Sequence, residues 1–307
     1  MKIAIAFTFD NKFCTPAYVA IKSLILSAKS STSYTIIIYY WNIPSGNLKK
    51  FNSLVENTNH EIIYLKADKN EFNGFPITRT WSYSVYLRLL LPNVLPQYDK
   101  IIYSDVDVFF LDDLSDLYSY DIEDYQLGGV AAECRDAAQV HQVYPEYANE
   151  YIFLSGLLLM NLKKLRQENF VEHIRTFVSK YKNRLKMFDL ELLNLACNKI
   201  LPLPLRYIML QSIYNEQDIS KAPEFRWLTS VYSPEKIKEE KADTVIVHYA
   251  GSMGKPWLLK KPPMYYAKVL DTIPYWFKVM NQYNRIVNYI FNKLKRIKNM
   301  IIGKENK

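Results

Sequence analysis

Two short stretches, about 140 residues apart, carry the side chains best suited to chemistry. Ile101-Ile102-Tyr103-Ser104 leads into Asp105-Val106-Asp107, and Val245-Ile246-Val247 leads into His248-Tyr249-Ala250-Gly251-Ser252-Met253-Gly254-Lys255-Pro256-Trp257. Each begins as an apolar strand and ends in polar groups. Hard divalent cations such as Mg2+ and Mn2+ favour oxygen ligands, and Mn2+ also accepts imidazole, so Asp105, Asp107 and His248 form a candidate metal set. Carboxylates two positions apart on an extended chain point to one face. The bland alternative is a pair of solvated turn aspartates, but Val108-Phe109-Phe110-Leu111 follows them, which is poor turn composition. A lone histidine at a strand end is usually structural; the loop after His248 argues for more. Gly251 and Gly254 permit a tight turn whose N–H groups can reach phosphate oxygens, and Lys255 adds a compact positive charge. Together these groups could hold a divalent cation on a diphosphate.

Such side chains need strands to deliver them. The pattern predicts strands over 3–9, 34–40, 61–65 and 101–104, alternating with helices over 16–27, 45–56 and 81–90, with Pro92 just past the last of these. Alternation of this kind implies a Rossmann-like, mostly parallel α/β sheet flanked by helices, with ligands bound at the carboxyl ends of its strands. Asp10, Asn11, Asp105 and Asp107 fall at such ends. Further on, strands are expected over 127–132, 151–161 and 244–247, helices over 169–182 and 188–198, and a loop over 201–205; 220–241 resists assignment. Five of the eight glycines, Gly128, Gly129, Gly156, Gly251 and Gly254, lie in three segments, which suggests close backbone approach or positive φ there.

A length of 307 residues with 49% hydrophobic residues suits one large domain or two joined halves. The 25 tyrosines fit either a sugar-facing cleft or a tyrosine-rich core. Of a formal charge of +8, nearly all sits in the tail, where eight basic residues and one acid lie from Lys278 onward. The body is near neutral, which argues against nucleic acid as a partner. Cys14, Cys134 and Cys197 lack metal-type spacing and read as reduced, buried thiols. No apolar run approaches the roughly 20 residues a membrane span needs, and the first residues read as a strand; a cytoplasmic protein is expected.

The chain resembles glycosyltransferase family 8, the retaining GT-A enzymes that include bacterial lipopolysaccharide galactosyl- and glucosyltransferases. The resemblance runs from about Lys2 to Trp257. It rests on Asp10-Asn11, Tyr86-Leu87-Arg88-Leu89, Asp105-Val106-Asp107, Ser155-Gly156-Leu157-Leu158-Leu159-Met160-Asn161-Leu162, and His248-Tyr249-Ala250-Gly251 with Lys255-Pro256-Trp257. It implies a GT-A domain over 1–265, with a nucleotide-sugar half over about 1–110 and an acceptor half over about 111–265. It further implies that Asp105, Asp107 and His248 hold Mn2+ (or Mg2+) on the diphosphate of a UDP-sugar, UDP-galactose or UDP-glucose. Gly251 and Lys255 would contact the phosphates, with Lys255 acting on the leaving group. Thr8, Asp10 and Asn11 would lie near the uridine, Arg88 and Val106 by the diphosphate or sugar, and Ser155-Gly156 along the donor sugar. Asp189 would touch sugar hydroxyls, as would Glu133 at the edge of its strand, with Glu191 beside Asp189 as a further catalytic candidate.

Departures from the family pattern matter as well. Phe9 stands where relatives often have a polar residue, Leu154 precedes Ser155-Gly156 in place of Asn, and Asp189-Leu190-Glu191 replaces a common Asp-Gln-Asp. Leu190 cannot be a nucleophile, which favours same-face departure and attack over a covalent glycosyl intermediate. Two alternatives come from different classes: a non-catalytic sugar-binding relative, and a haloacid dehalogenase-type phosphotransferase, which also places Asp-x-Asp after a strand. The latter lacks its later acidic pair here.

Past Tyr275-Trp276-Phe277, Ile286, Ile290, Leu294, Ile297 and Ile301 recur at helical spacing, with Lys293, Lys295, Arg296 and Lys298 between them. A basic amphipathic helical tail over 266–307 suits an anionic membrane surface and a lipid-linked saccharide acceptor. The alternative is a helix packed on the body with a solvated basic face.

Overall fold

A computed structural model describes residues 1–77, 82–251 and 253–305. Its strands are β1 (Lys2–Asp10), β2 (Ser33–Trp41), β3 (Glu61–Lys66), β4 (Lys100–Ser104), β5 (Val108–Phe110), β6 (Leu127–Cys134), β7 (Tyr151–Asn161), β8 (Ile200–Pro202), β9 (Met209–Leu210) and β10 (Ile246–His248). Seven form one sheet in the order β3-β2-β1-β4-β7-β6-β8. The pairs β1/β2, β2/β3, β1/β4 and β6/β8 are parallel, and β7 runs antiparallel to both β4 and β6. A small second sheet, β5-β10-β9, lies beside it.

Strand β1 shows why the sheet is central. Ile3, Ile5, Phe7 and Phe9 enter one core and Ala4 and Ala6 the other, so both faces are covered. The helix Cys14–Ser27 packs on the first face; Leu87–Val94, Phe170–Tyr181 and Asp189–Ala196 cover the second. Tyr34, Tyr39, Tyr86, Tyr103, Tyr207, Tyr249 and Tyr266 are among the largest fully buried side chains, so much of the tyrosine excess builds core. All three cysteines are free; Cys14 and Cys197 are buried, whereas Cys134 is only half-buried.

Several expected elements shift. The helix expected over 45–56 is α-helical only at Ser45–Leu48 and continues as a 3-10 helix, Lys49–Leu54. Trp81 lies outside the described residues. The helix expected from it is a 3-10 turn, Tyr83–Tyr86, followed by Leu87–Val94 with Pro92 inside. A proline there forfeits one bond, to the Arg88 carbonyl, near the helix end. The loop expected over 201–205 contributes β8, an edge strand where Pro202 is tolerated. The unassigned 220–241 holds the helices Phe225–Leu228 and Pro234–Ala242, the latter capped by the Ser233 hydroxyl.

The expected single tail helix over 266–307 is two: a short helix, Met264–Leu270, precedes the long helix Tyr275–Glu305. Its first turns are docked: Phe277 is fully buried against Tyr18 and Phe51, and Arg285 Nε donates to the Trp257 carbonyl at 2.8 Å. Farther out, Ile286, Ile290 and Leu294 are 54%, 51% and 59% exposed, so these positions of the expected apolar stripe do not pack on the body; the side chains of Lys295, Arg296, Ile297, Lys298 and Ile301 lie outside those described. Among the described residues no helix is long and apolar enough to cross a membrane.

Candidate active site

The two stretches singled out by their residue types meet. Strand β10 pairs antiparallel with β5, with His248 opposite Val108, one residue beyond Asp107. The Asp105–Asp107 turn is pinned at both ends. Asp105 N–H donates to the Gly156 carbonyl on β7, and Tyr249 N–H to the Asp107 carbonyl, each at 2.8 Å. One ligand atom from each of Asp105, Asp107 and His248 lies within 4.8 Å of the others. His248 Nε2 stands 3.4 Å from Asp107 Oδ1 and 3.8 Å from Asp105 Oδ2.

The residues fit a divalent cation. Two carboxylates and an imidazole nitrogen converge, a donor set suited to Mn2+. Gly156 is part of that fit: a Cβ there would lie 2.6 Å from His248 Cε1 and 3.0 Å from Nε2. Only glycine lets the ring sit against β7.

Positive charge flanks the carboxylates on two sides. Lys255 Nζ lies 2.5 Å from Asp107 Oδ2 and also donates to the Tyr249 carbonyl at 2.8 Å. Burial works to raise the Asp107 carboxyl, but Lys255 and His248 outweigh it and hold it well below the usual carboxylate range. Gly251, with φ of 87°, makes the turn between His248 and Lys255 that a side chain would strain.

Arg88, on the helix Leu87–Val94, is the second cation. Its Nη2 is 2.6 Å from Asp105 Oδ1, and its Nη1 is 3.2 Å from Asp189 Oδ2 and donates to the Ser155 carbonyl at 2.7 Å. Burial opposes the guanidinium charge, yet Asp105 and Asp189 hold its pKa above normal. Tyr103 lies under it, 4.6 Å from guanidinium to ring centroid, and donates its hydroxyl to Asp105 Oδ1 at 2.6 Å. Asp189 opens the helix Asp189–Ala196. Its burial, opposed by Arg88 and reinforced by Asp105, pushes the carboxyl up to about 6.

The remaining expected site residues divide. Thr8 belongs to the cluster indirectly, through a 3.1 Å bond to the Tyr103 hydroxyl. Asp10 accepts from Ser82 and from Lys12 N–H, and Asn11 accepts from Asn47; these bonds form a separate network at the end of β1. Val106 is a buried core side chain, so only its backbone is free to meet a ligand. Glu133, half-buried near the end of β6, has its carboxyl raised by burial, with Arg226 opposing. Glu191 is bonded elsewhere: its carboxylate accepts from the Tyr144 hydroxyl and from Lys186 and Met187 N–H, bracing the turn before Asp189. Sequence reasoning missed Tyr103. The period-2 pattern from Tyr103 to Asp105 could have signalled that its ring faces the same way as the carboxylate.

A mostly parallel sheet with these carboxylates past β4, and a histidine closing β10 of the small second sheet, matches a GT-A glycosyltransferase fold. Residues 4–261 match glycosyl transferase family 8, and the chain belongs to that family. It is 28% identical over 199 residues to a Haemophilus influenzae relative named at the level of glycosyltransferase, covering 63% of this chain and 58% of that protein. It is 24% identical over 256 residues to glycosyltransferase GlyA of Streptococcus pneumoniae, covering 83% of this chain but 32% of GlyA. The chain thus spans between a third and three fifths of those relatives. A crystal structure of galactosyltransferase LgtC, in complex with donor and acceptor sugar analogues, shares the fold at a TM-score of 0.72 and 23% identity, covering 91% of this chain and all of LgtC.

Proposed function

We propose that this chain transfers a hexose from a UDP-sugar, UDP-galactose or UDP-glucose, to a saccharide acceptor of lipopolysaccharide or another cell-surface glycan, with Mn2+ bound and the anomeric configuration retained. The observation that carries this is the convergence of Asp105, Asp107 and His248, with Lys255 on Asp107. A cation held there would supply Lewis-acid neutralisation of the diphosphate. Lys255 adds charge toward the leaving group. Asp189, poised near 6, can accept or donate a hydrogen bond to a sugar hydroxyl. Leu190 offers no nucleophile and Glu191 is committed to the Lys186–Met187 turn, which favours same-face departure and attack. Family membership removes the phosphotransferase alternative. The test is a panel of UDP-sugars with Mn2+, Mg2+ or EDTA. Metal-dependent binding and slow hydrolysis of a UDP-hexose are expected; failure of every UDP-sugar to bind in either metal would overturn the reading.

We further propose a peripheral position on the inner face of the cytoplasmic membrane, through the exposed apolar face and basic residues of the helix Tyr275–Glu305. Because Phe277 and Arg285 belong to the body, the informative truncation ends after Arg285. It should lose co-sedimentation with phosphatidylglycerol vesicles about tenfold or more while keeping UDP-sugar hydrolysis. Undiminished vesicle binding would refute the tail's role.

A further inference from the structure

Among the described residues, one buried acid has an oxygen without a hydrogen-bond partner. Glu224 is 5% exposed, and its Oε2 is buried with no hydrogen-bond partner. It sits immediately before the helix Phe225–Leu228, which packs against β6, and its side chain does not cap that helix. On its other side is the diphosphate loop: a Cβ built on Gly251 would fall 2.4 Å from Glu224 Oε1. The carboxylate is therefore laid on the bare Cα of Gly251, between the end of β6 and the turn leading to Lys255.

An unpartnered buried carboxylate is costly, and a bound ligand is one way to satisfy it. Its chemistry narrows the ligand. A phosphate or carboxylate would be repelled. The metal set of Asp105, Asp107 and His248 does not include it. The nearby cation, Arg226, acts on Glu133. A neutral group rich in O–H donors suits it, because a carboxyl oxygen accepts from hydroxyls.

We propose that Glu224 is an acceptor-binding residue, taking hydrogen bonds from hydroxyls of the saccharide that receives the transferred sugar, at the Gly251 edge of the diphosphate site. This rests on the sugar-transferase reading above. In that arrangement Gly251 serves twice: its backbone turns the loop, and its missing side chain leaves Glu224 its place.

The test uses the full chain with UDP-galactose and UDP-glucose as donors and a panel of lactose and methyl hexosides as probe acceptors. Glu224→Ala should raise the acceptor KM about tenfold or more, the cost of a lost hydrogen bond to a charged group. Hydrolysis of the UDP-sugar by water should stay within about twofold, and Glu224→Gln should fall between. Gly251→Ala, which drives a methyl into the carboxylate, should raise the acceptor KM as well. Thermal melting of Glu224→Ala should not drop, since no partner is lost. An unchanged acceptor KM would overturn the proposal, as would hydrolysis falling in step with transfer, which would put Glu224 on the donor side. If the wild type shows no UDP-sugar turnover, the transferase reading fails separately. Titration calorimetry of the same saccharides then decides on Glu224, and equal binding by wild type and Glu224→Ala refutes it.

Discussion

Asp107→Asn is expected to lower metal-dependent transfer by about 10³-fold in kcat/KM, on the order of 4 kcal/mol of transition-state stabilisation. The size follows from how many groups act through this one carboxylate. Oδ1 faces His248 Nε2 at 3.4 Å and Oδ2 faces Lys255 Nζ at 2.5 Å. Neutralising it weakens the hold on a divalent cation and releases Lys255 from its position. The amide keeps the shape, so the main-chain bond from Tyr249 to the Asp107 carbonyl should survive and the fold with it. Apparent affinity for Mn2+ should fall together with turnover, which a metal titration of kcat/KM would show; retention of a tenth of wild-type activity would remove Asp107 from the metal set. Acidification gives a second readout in EDTA. The Asp107 carboxyl is held below its ordinary range, so its contribution to stability is present at neutral pH and fades as pH falls below about 4. The wild type should lose stability more steeply than Asp107→Asn in that acid range.

Much of the fold can be read from period and punctuation, because β1, β2 and β4 are continuous apolar runs flanked by turn residues. What escaped was decided by contacts distant in sequence. Ile200–Pro202 carries a proline and looks like a loop, yet it pairs with Gly129 and its neighbours at a sheet edge. Pro92 looks like a helix terminator but lies near the end of a helix, where its missing N–H costs one bond and little helix follows to be disrupted. At the site, the convergence of Asp105, Asp107 and His248 was legible because few residue types suit a cation, and strand ends bring them forward. Glu191 fits a catalytic acid by type and position, but which groups its carboxylate bonds, the Lys186–Met187 turn among them, depends on tertiary contacts the sequence does not display. Glu224 went unnoticed since nothing local distinguishes it from a solvated glutamate; its burial and its place against Gly251 come from tertiary contacts.

Arg88→Met should produce the largest loss of stability, about 3–5 kcal/mol at pH 8, because it breaks a buried ion triad while keeping the volume filled. Arg88 and Asp189 have side chains 8% and 6% exposed, and Asp105 is 20% exposed, so little water can replace the guanidinium. The Ser155 carbonyl also loses its donor. The deficit should depend on pH, with a sign set by Asp189. Its carboxyl already stands at about 6 with Arg88 present, against an ordinary value of 3.8. A raised acid contributes stability that is complete below the ordinary range and lost as pH climbs through the raised one. Removing Arg88 pushes that carboxyl higher still, so Asp189 takes up a proton and blunts the loss at pH 5.5 but not at pH 8. Urea unfolding in EDTA at the two pH values should therefore show the smaller deficit at pH 5.5. Adding Asp189→Asn to Arg88→Met should return roughly 1–3 kcal/mol at pH 8, the worth of one or two pKa units of charge burial. Arg88→Lys should not rescue transfer, since a single ammonium cannot fork to Asp105, Asp189 and the Ser155 carbonyl together. A pH-independent deficit, unmoved by Asp189→Asn, would mean that Arg88 stabilises the fold by packing on Tyr103 and not by holding two carboxylates apart.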